Sequence, residues 1–119
     1  VQVRSGVAEV GGTEVASPLA PVPDGEGLLF VRPQDVAIGL AGTPGLDGVV
    51  RGFRRHGAIR RLTVEVAGAQ VEVDISPTVH AANGTKVAVR FQRARLFPAT
   101  GGGVDCRPPA AHQTGEYAI

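Results

Sequence analysis

The 119-residue chain has no Met, no Trp and only one Cys, and its aromatic content is 4%. With so few large side chains, a core must be assembled from Val, Leu, Ile and Ala. The stiff, β-branched Val that dominates favours strands. The lone Cys106 excludes an internal disulfide, so the chain is not a disulfide-stapled secreted scaffold. No apolar run is long enough to cross a bilayer as a helix, and the residues after Arg4 are small or acidic instead of forming an apolar signal segment. These absences lead us to expect a cytoplasmic protein. The first residue is Val and not Met, in what reads as mid-strand, so we expect a piece of a longer polypeptide. Excess charge of one sign is also missing: the formal net charge is +1, too close to neutral for a general nucleic-acid binder.

Several catalytic signatures are missing as well. Nothing matches the phosphate-binding loop G-x-x-x-x-G-K-[ST]. Gly101-Gly102-Gly103 has no following Lys and no strand-to-helix context, so no ATP hydrolysis is expected from this chain, and no cofactor. His56, His80 and His112 are far apart, and none has a second ligand at metal-binding spacing. Ser5, Ser17 and Ser76 sit in no nucleophile elbow.

What is present is 43% hydrophobic residues, 17 Gly and 9 Pro: enough apolar surface for one domain, and many turns. Val7–Val10 and Thr13–Val15 flank Gly11-Gly12 as a hairpin. A proline-rich connection from Ser17 to Gly25 follows. Leu28-Leu29-Phe30-Val31 is a continuous apolar run, expected as a buried strand ended by Arg32-Pro33. Val36, Ile38 and Leu40 alternate, and Gly42-Thr43-Pro44-Gly45 turns.

Further on, Val49, Arg51 and Phe53 alternate with Gly48, Val50 and Gly52. Leu62, Val64 and Val66, then Val71, Val73 and Ile75, supply the inward faces of a hairpin from Ile59 to Ile75. Asn83-Gly84 marks a turn into Val87, Val89 and Phe91. A single helical turn fits near Pro77 to Ala82. Residues 99–119 read as a flexible tail. The fold class is all-β: an OB-like small barrel over about 46–97, with accessory N-terminal strands in 1–45.

The most distinctive charge feature is Arg51, Arg54, Arg55, Arg60 and Arg61 around His56-Gly57. Guanidinium forks suit carboxylates and oxyanions. The plainer reading is a solvated face paired with Glu65, Glu72 and Asp74 across the hairpin. Between the functional readings, we place a subunit contact ahead of a ligand pocket. A pocket needs donors converging from several segments, and one donor-rich segment is evident.

Phe30-Val31-Arg32-Pro33-Gln34-Asp35-Val36-Ala37-Ile38 resembles the segment that follows the nucleotide-binding domain in ABC-importer ATPases. Gln34 departs there from the commoner acidic residue or His. Gly48-Val49-Val50, the stretch Gly57 to Leu62 and Gly84-Thr85-Lys86-Val87-Ala88-Val89 are similar to strands of the transport-associated OB (TOBE) domain. Val71 to Ile75 and Arg93-Ala94-Arg95-Leu96-Phe97 are similar to the sulfate- and molybdate-type members. The resemblance covers about residues 1–98.

It implies a regulatory and dimerisation domain, with a second copy of the ATPase subunit and membrane permease subunits as partners, peripheral at the inner membrane. It also implies an oxyanion as a candidate ligand. Arg32, Asp35, Arg54, Arg55 and His56 are the candidate contact or anion residues. Two alternatives stand beside it: a molybdate- or tungstate-binding module, and an OB module for nucleic acid. The second is disfavoured because stacking aromatics along a basic groove are needed, whereas Phe30, Phe53, Phe91, Phe97 and Tyr117 fall mostly at inward or tail positions.

Overall fold

The computed structural model describes residues 1–76 and 81–109. The helical turn expected near Pro77, together with His80, His112 and Tyr117, therefore lies wholly or largely outside the described residues. Among those described there are eleven strands: β1 (Gln2–Arg4), β2 (Val7–Val10), β3 (Thr13–Pro18), β4 (Gly25–Phe30), β5 (Val36–Leu40), β6 (Leu46–His56), β7 (Ile59–Val66), β8 (Ala69–Ile75), β9 (Lys86–Phe91), β10 (Ala94–Pro98) and β11 (Val104–Arg107). A 3-10 turn at Pro33–Asp35 separates β4 from β5. The all-β expectation holds.

The strands make two bodies around one contiguous apolar cluster. The first is a closed barrel in the order β1-β2-β3-β11-β10-β4; the second is a five-stranded sheet, β5-β9-β6-β7-β8. That sheet curls until its edge strands β5 and β8 come back into contact, the geometry of a partly open OB-like barrel. Strands assigned to the accessory N-terminal region thus divide between the two bodies. β1 to β4 build the closed barrel, and β5 joins the five-stranded sheet.

The expected tail is corrected over residues 104–107. Val104 and Cys106 alternate with Asp105 and Arg107, and β11 pairs with both β10 and β3 to close the barrel. Without β11 the first body would carry an open edge of unpaired backbone groups.

The turns follow from glycine placement. Gly11 and Gly12 both have positive φ, at 57° and 84°, as the expected two-residue hairpin requires. Asn83-Gly84 is a turn but not a hairpin, because β8 and β9 are not neighbours. Thr85 N–H instead bonds back to the carbonyl of Ala82.

The hairpin from Ile59 to Ile75 forms in the expected register, with Leu62 opposite Val73 and Val64 opposite Val71. Leu62, Val64, Val66 and Val73 are buried and Val71 is half-buried. On β9, Val87, Val89 and Phe91 face the sheet's own core, but Ala88 and Arg90 on the opposite face are buried too. β3 of the first barrel packs against this strand.

Two local expectations change. The register of β6 on β7 slips between Val50 and Gly52, a β-bulge at Arg51. Beyond it Phe53 stands opposite Leu62, on the side of Leu62 and not that of Val49, because directly opposed residues share a face. The run Leu28–Val31 is not buried on both faces. β4 is a barrel wall with one solvent side, so Leu28 and Phe30 point out, 64% and 59% exposed.

Candidate functional site

The arginines of the β6–β7 hairpin are largely engaged within their own sheet. Arg51 meets Glu65 at 3.3 Å and Arg54 meets Glu72 at 3.1 Å. Arg61 donates to both oxygens of Asp74, at 2.7 and 3.2 Å. That hydrogen bond, together with the nearby charges of Asp74 and Glu72, holds the Arg61 guanidinium above its ordinary pKa. Arg60 lies over the Phe53 ring, 4.3 Å from its centroid, an arrangement the bulge makes available by bringing Phe53 to that face. The exposed pairs contribute at most about 1 kcal/mol each. Arg55 is exposed, with no ion pair among the described residues. His56 ends β6 opposite Ile59. Arg54 and Arg55 line neither the arginine-walled cleft described below nor the apolar cavity between β4 and β8.

Arg32 and Asp35 are brought together at the 3-10 turn. Pro33 starts it, Arg32 is held extended at φ −82°, ψ 149°, and Arg32 Nε donates to Asp35 Oδ2 at 2.8 Å. The carbonyl of Asp35 accepts from Gln92 N–H at 2.7 Å, tying the turn to the loop before β10. This turn and loop form one wall of a cleft of about 890 Å3. Guanidinium groups from separate segments line it: Arg32, Arg93, Arg95 and Arg107, against two carboxylates, Asp35 and Asp105. Leu19, Phe30, Val31 and Ala94 supply apolar wall.

Arg95 is fixed within the cleft. Its Nη1 bonds Asp105 Oδ1 at 2.7 Å, its Nη2 bonds the carbonyl of Gly103, and its guanidinium lies 5.7 Å from the Phe97 ring centroid. Gly103 leaves room for that packing. A Cβ there would meet Arg95 Nε at 2.6 Å and the Phe97 ring at 2.8 Å. Phe97 in turn packs edge-on against Phe30, with centroids 5.2 Å apart and planes at 74°. Because Leu28 is the β4 partner of Phe97 and Phe30 that of Arg95, Leu28, Phe30 and Phe97 form an outward apolar strip bordered by arginines.

Arg93, Arg95 and Arg107 were not singled out in the sequence. Arg93 and Arg107 come to one cleft only through the β10–β11 hairpin. The available signal was the alternation Val104, Asp105, Cys106, Arg107, which reads as a strand once the glycine run before it is taken as a turn. Arg90 is also charged yet only 6% exposed, and desolvation holds its guanidinium below its ordinary pKa. Among the described residues no group of three His, Cys, Asp or Glu side chains converges to hold a metal.

Comparison with known proteins gives a consistent picture. A family model described as "TOBE domain" matches residues 29–98, the five-stranded sheet with the end of β4 and β10. The "Sulfate/thiosulfate import ATP-binding protein CysA" of Mesorhizobium japonicum is 35% identical over 102 residues, which is 83% of this chain and 29% of that protein. The protein of the same name from Brucella melitensis is 34% identical over 83% of this chain and 28% of its own length. That from Bradyrhizobium diazoefficiens is 29% identical over 82% of this chain and 28% of its own length. The chain thus spans under a third of the relatives it matches.

Proposed function

This chain belongs to the TOBE domain family, and from that premise we propose that it is the regulatory and dimerisation domain of an ABC-importer ATP-binding subunit that serves sulfate or a related oxyanion. Nucleotide chemistry then resides in another part of the parent protein, since this chain carries no Walker-type phosphate loop. The parent works at the cytoplasmic side of the membrane against permease subunits, and this domain's own partner is a second copy of itself.

The observation that carries the dimerisation reading is the outward strip of Leu28, Phe30 and Phe97. Aromatic and aliphatic anchors ringed by arginine are the composition of contact surfaces. The border also holds carboxylates beside its guanidiniums, in Arg95–Asp105 and Arg32–Asp35. A surface carrying both signs is self-complementary, as a two-fold contact between identical chains requires. Arg54, Arg55 and His56 remain at the hairpin end as a secondary contact in this reading.

Sedimentation velocity over a concentration series tests it. We expect a concentration-dependent dimer that is weakened at least tenfold by Leu28→Asp, because a carboxylate buried in an apolar contact is left unpaired. A chain that stays monomeric throughout, or a dimer indifferent to Leu28→Asp, overturns the proposal.

A further inference from the structure

We propose that the cleft between the 3-10 turn and the β10–β11 hairpin binds a small organic anion: a tetrahedral oxyanion ester whose charged head sits on Arg93 and Arg107 and whose apolar body lies along Leu19. The inference rests on this chain's own residues and goes beyond its place in a transporter.

The register of the hairpin is the starting point. Ala94 is opposite Cys106 and Arg95 opposite Asp105. Ala94–Cys106 is the last pair of that register, and Arg93 and Arg107, next to it on either chain segment, both line the cleft. Like charges gathered in one cleft repel unless a counter-charge is present. Arg95 next to them is offset by Asp105, and Arg32 on the facing wall by Asp35. Arg93 and Arg107 have no ion-pair partner among the described residues. Four guanidiniums against two carboxylates leave the cleft with two uncompensated positive charges, which suits a dianion. The forks come from three segments of the chain, the convergence that the β6–β7 hairpin lacks.

Cleft size and lining then select the class of ligand. About 890 Å3 lies within the range of small-molecule sites and is far larger than an inorganic oxyanion needs. On the Asp105 side of the cleft Leu19 supplies apolar wall and is 61% exposed. A bare sulfate would leave that wall in water, whereas an ester with an aromatic or alkyl body covers it. Burying such a body favours the ester by at least about tenfold over the inorganic ion, at ~25 cal/mol per Å2 of apolar surface.

Isothermal titration calorimetry of the full 119-residue chain with phenyl phosphate and with inorganic phosphate tests the proposal. We expect saturable binding of one phenyl phosphate per chain, at least tenfold tighter than inorganic phosphate and weaker as salt rises. Arg93→Ala with Arg107→Ala should reduce that affinity at least tenfold, while Arg54→Ala with Arg55→Ala leaves it unchanged. Both arginines are exposed, and thermal melts of each variant verify that the fold is retained; Arg93→Lys with Arg107→Lys, which keeps charge but loses the fork, should fall between.

Three results overturn the proposal: no saturable binding, equal affinity for the two probes (an ion held by charge alone), or binding indifferent to the double substitution. A lipid headgroup presents the same phosphate monoester chemistry. Co-sedimentation with phosphatidic acid vesicles that depends on Arg93 and Arg107, without binding of phenyl phosphate, would replace the small-molecule ligand by a membrane and so overturn it too.

Discussion

Cys106 shows how one side chain reports on the fold. It lies on β11 facing inward, 5% exposed, with Sγ 3.7 Å from the carbonyl of Val104. Burial pushes its thiol pKa up from the ordinary value of 9.0. The folded state then keeps its proton at a pH where the unfolded chain has already lost it. Below the ordinary thiol pKa both states are protonated and the site is neutral to stability. Above it the unfolded chain binds fewer protons, so stability falls as pH rises.

Cys106→Ala removes this loss along with some packing. We therefore expect the stability gap between the natural chain and the variant, measured by urea unfolding, to narrow from about pH 7 to about pH 10.5. A constant gap would mean that the thiol titrates as in the unfolded chain. Reading residues 99–119 as a tail hid this. Gly101-Gly102-Gly103 looks like a linker by composition, whereas the close packing of Arg95 and Phe97 over Gly103 is a tertiary requirement that composition does not express.

At the scale of the element, alternation was the legible part. The β7–β8 hairpin, β9 and the Gly11-Gly12 turn follow from period-two patterning and from glycines that tolerate positive φ. Three features lay beyond it. The bulge at Arg51 moves Phe53 across the sheet without breaking the sequence pattern. The run Leu28–Val31 has the same composition whether one face is covered or both. The double burial of β9 depends on a second body packing on it.

Two glycines of β6 separate packing from backbone freedom. A Cβ at Gly48 would come within 2.8 Å of Val64 Cγ1 and 3.1 Å of Val89 Cγ2, while one at Gly52 meets nothing within 4 Å. Gly48→Ala should therefore cost about 1–3 kcal/mol through overpacking, and Gly52→Ala should stay within about 0.5 kcal/mol. Thermal denaturation of the two variants checks this. Equal effects would contradict the sheet register.

Across the whole molecule, the sequence conveyed fold class and family but not how the strands divide. The resemblance was carried by residues in and near the five-stranded sheet. The closed barrel joins strands from both ends of the chain, and such long-range pairing leaves no local signal. The arginine cleft was illegible for the same reason, since its donors become neighbours only when the barrel closes, whereas the β6–β7 arginines are conspicuous because they are contiguous. Their conspicuousness is mostly local ion pairing.

The central claim is that this domain is the accessory part of a transport ATPase. The most direct measurement is the coding sequence immediately upstream of Val1, read in the same frame. The account predicts an ATPase domain there bearing G-x-x-x-x-G-K-[ST], continuous with this chain. A stop codon followed by a separate start just ahead of Val1, with no such motif in frame, would contradict it.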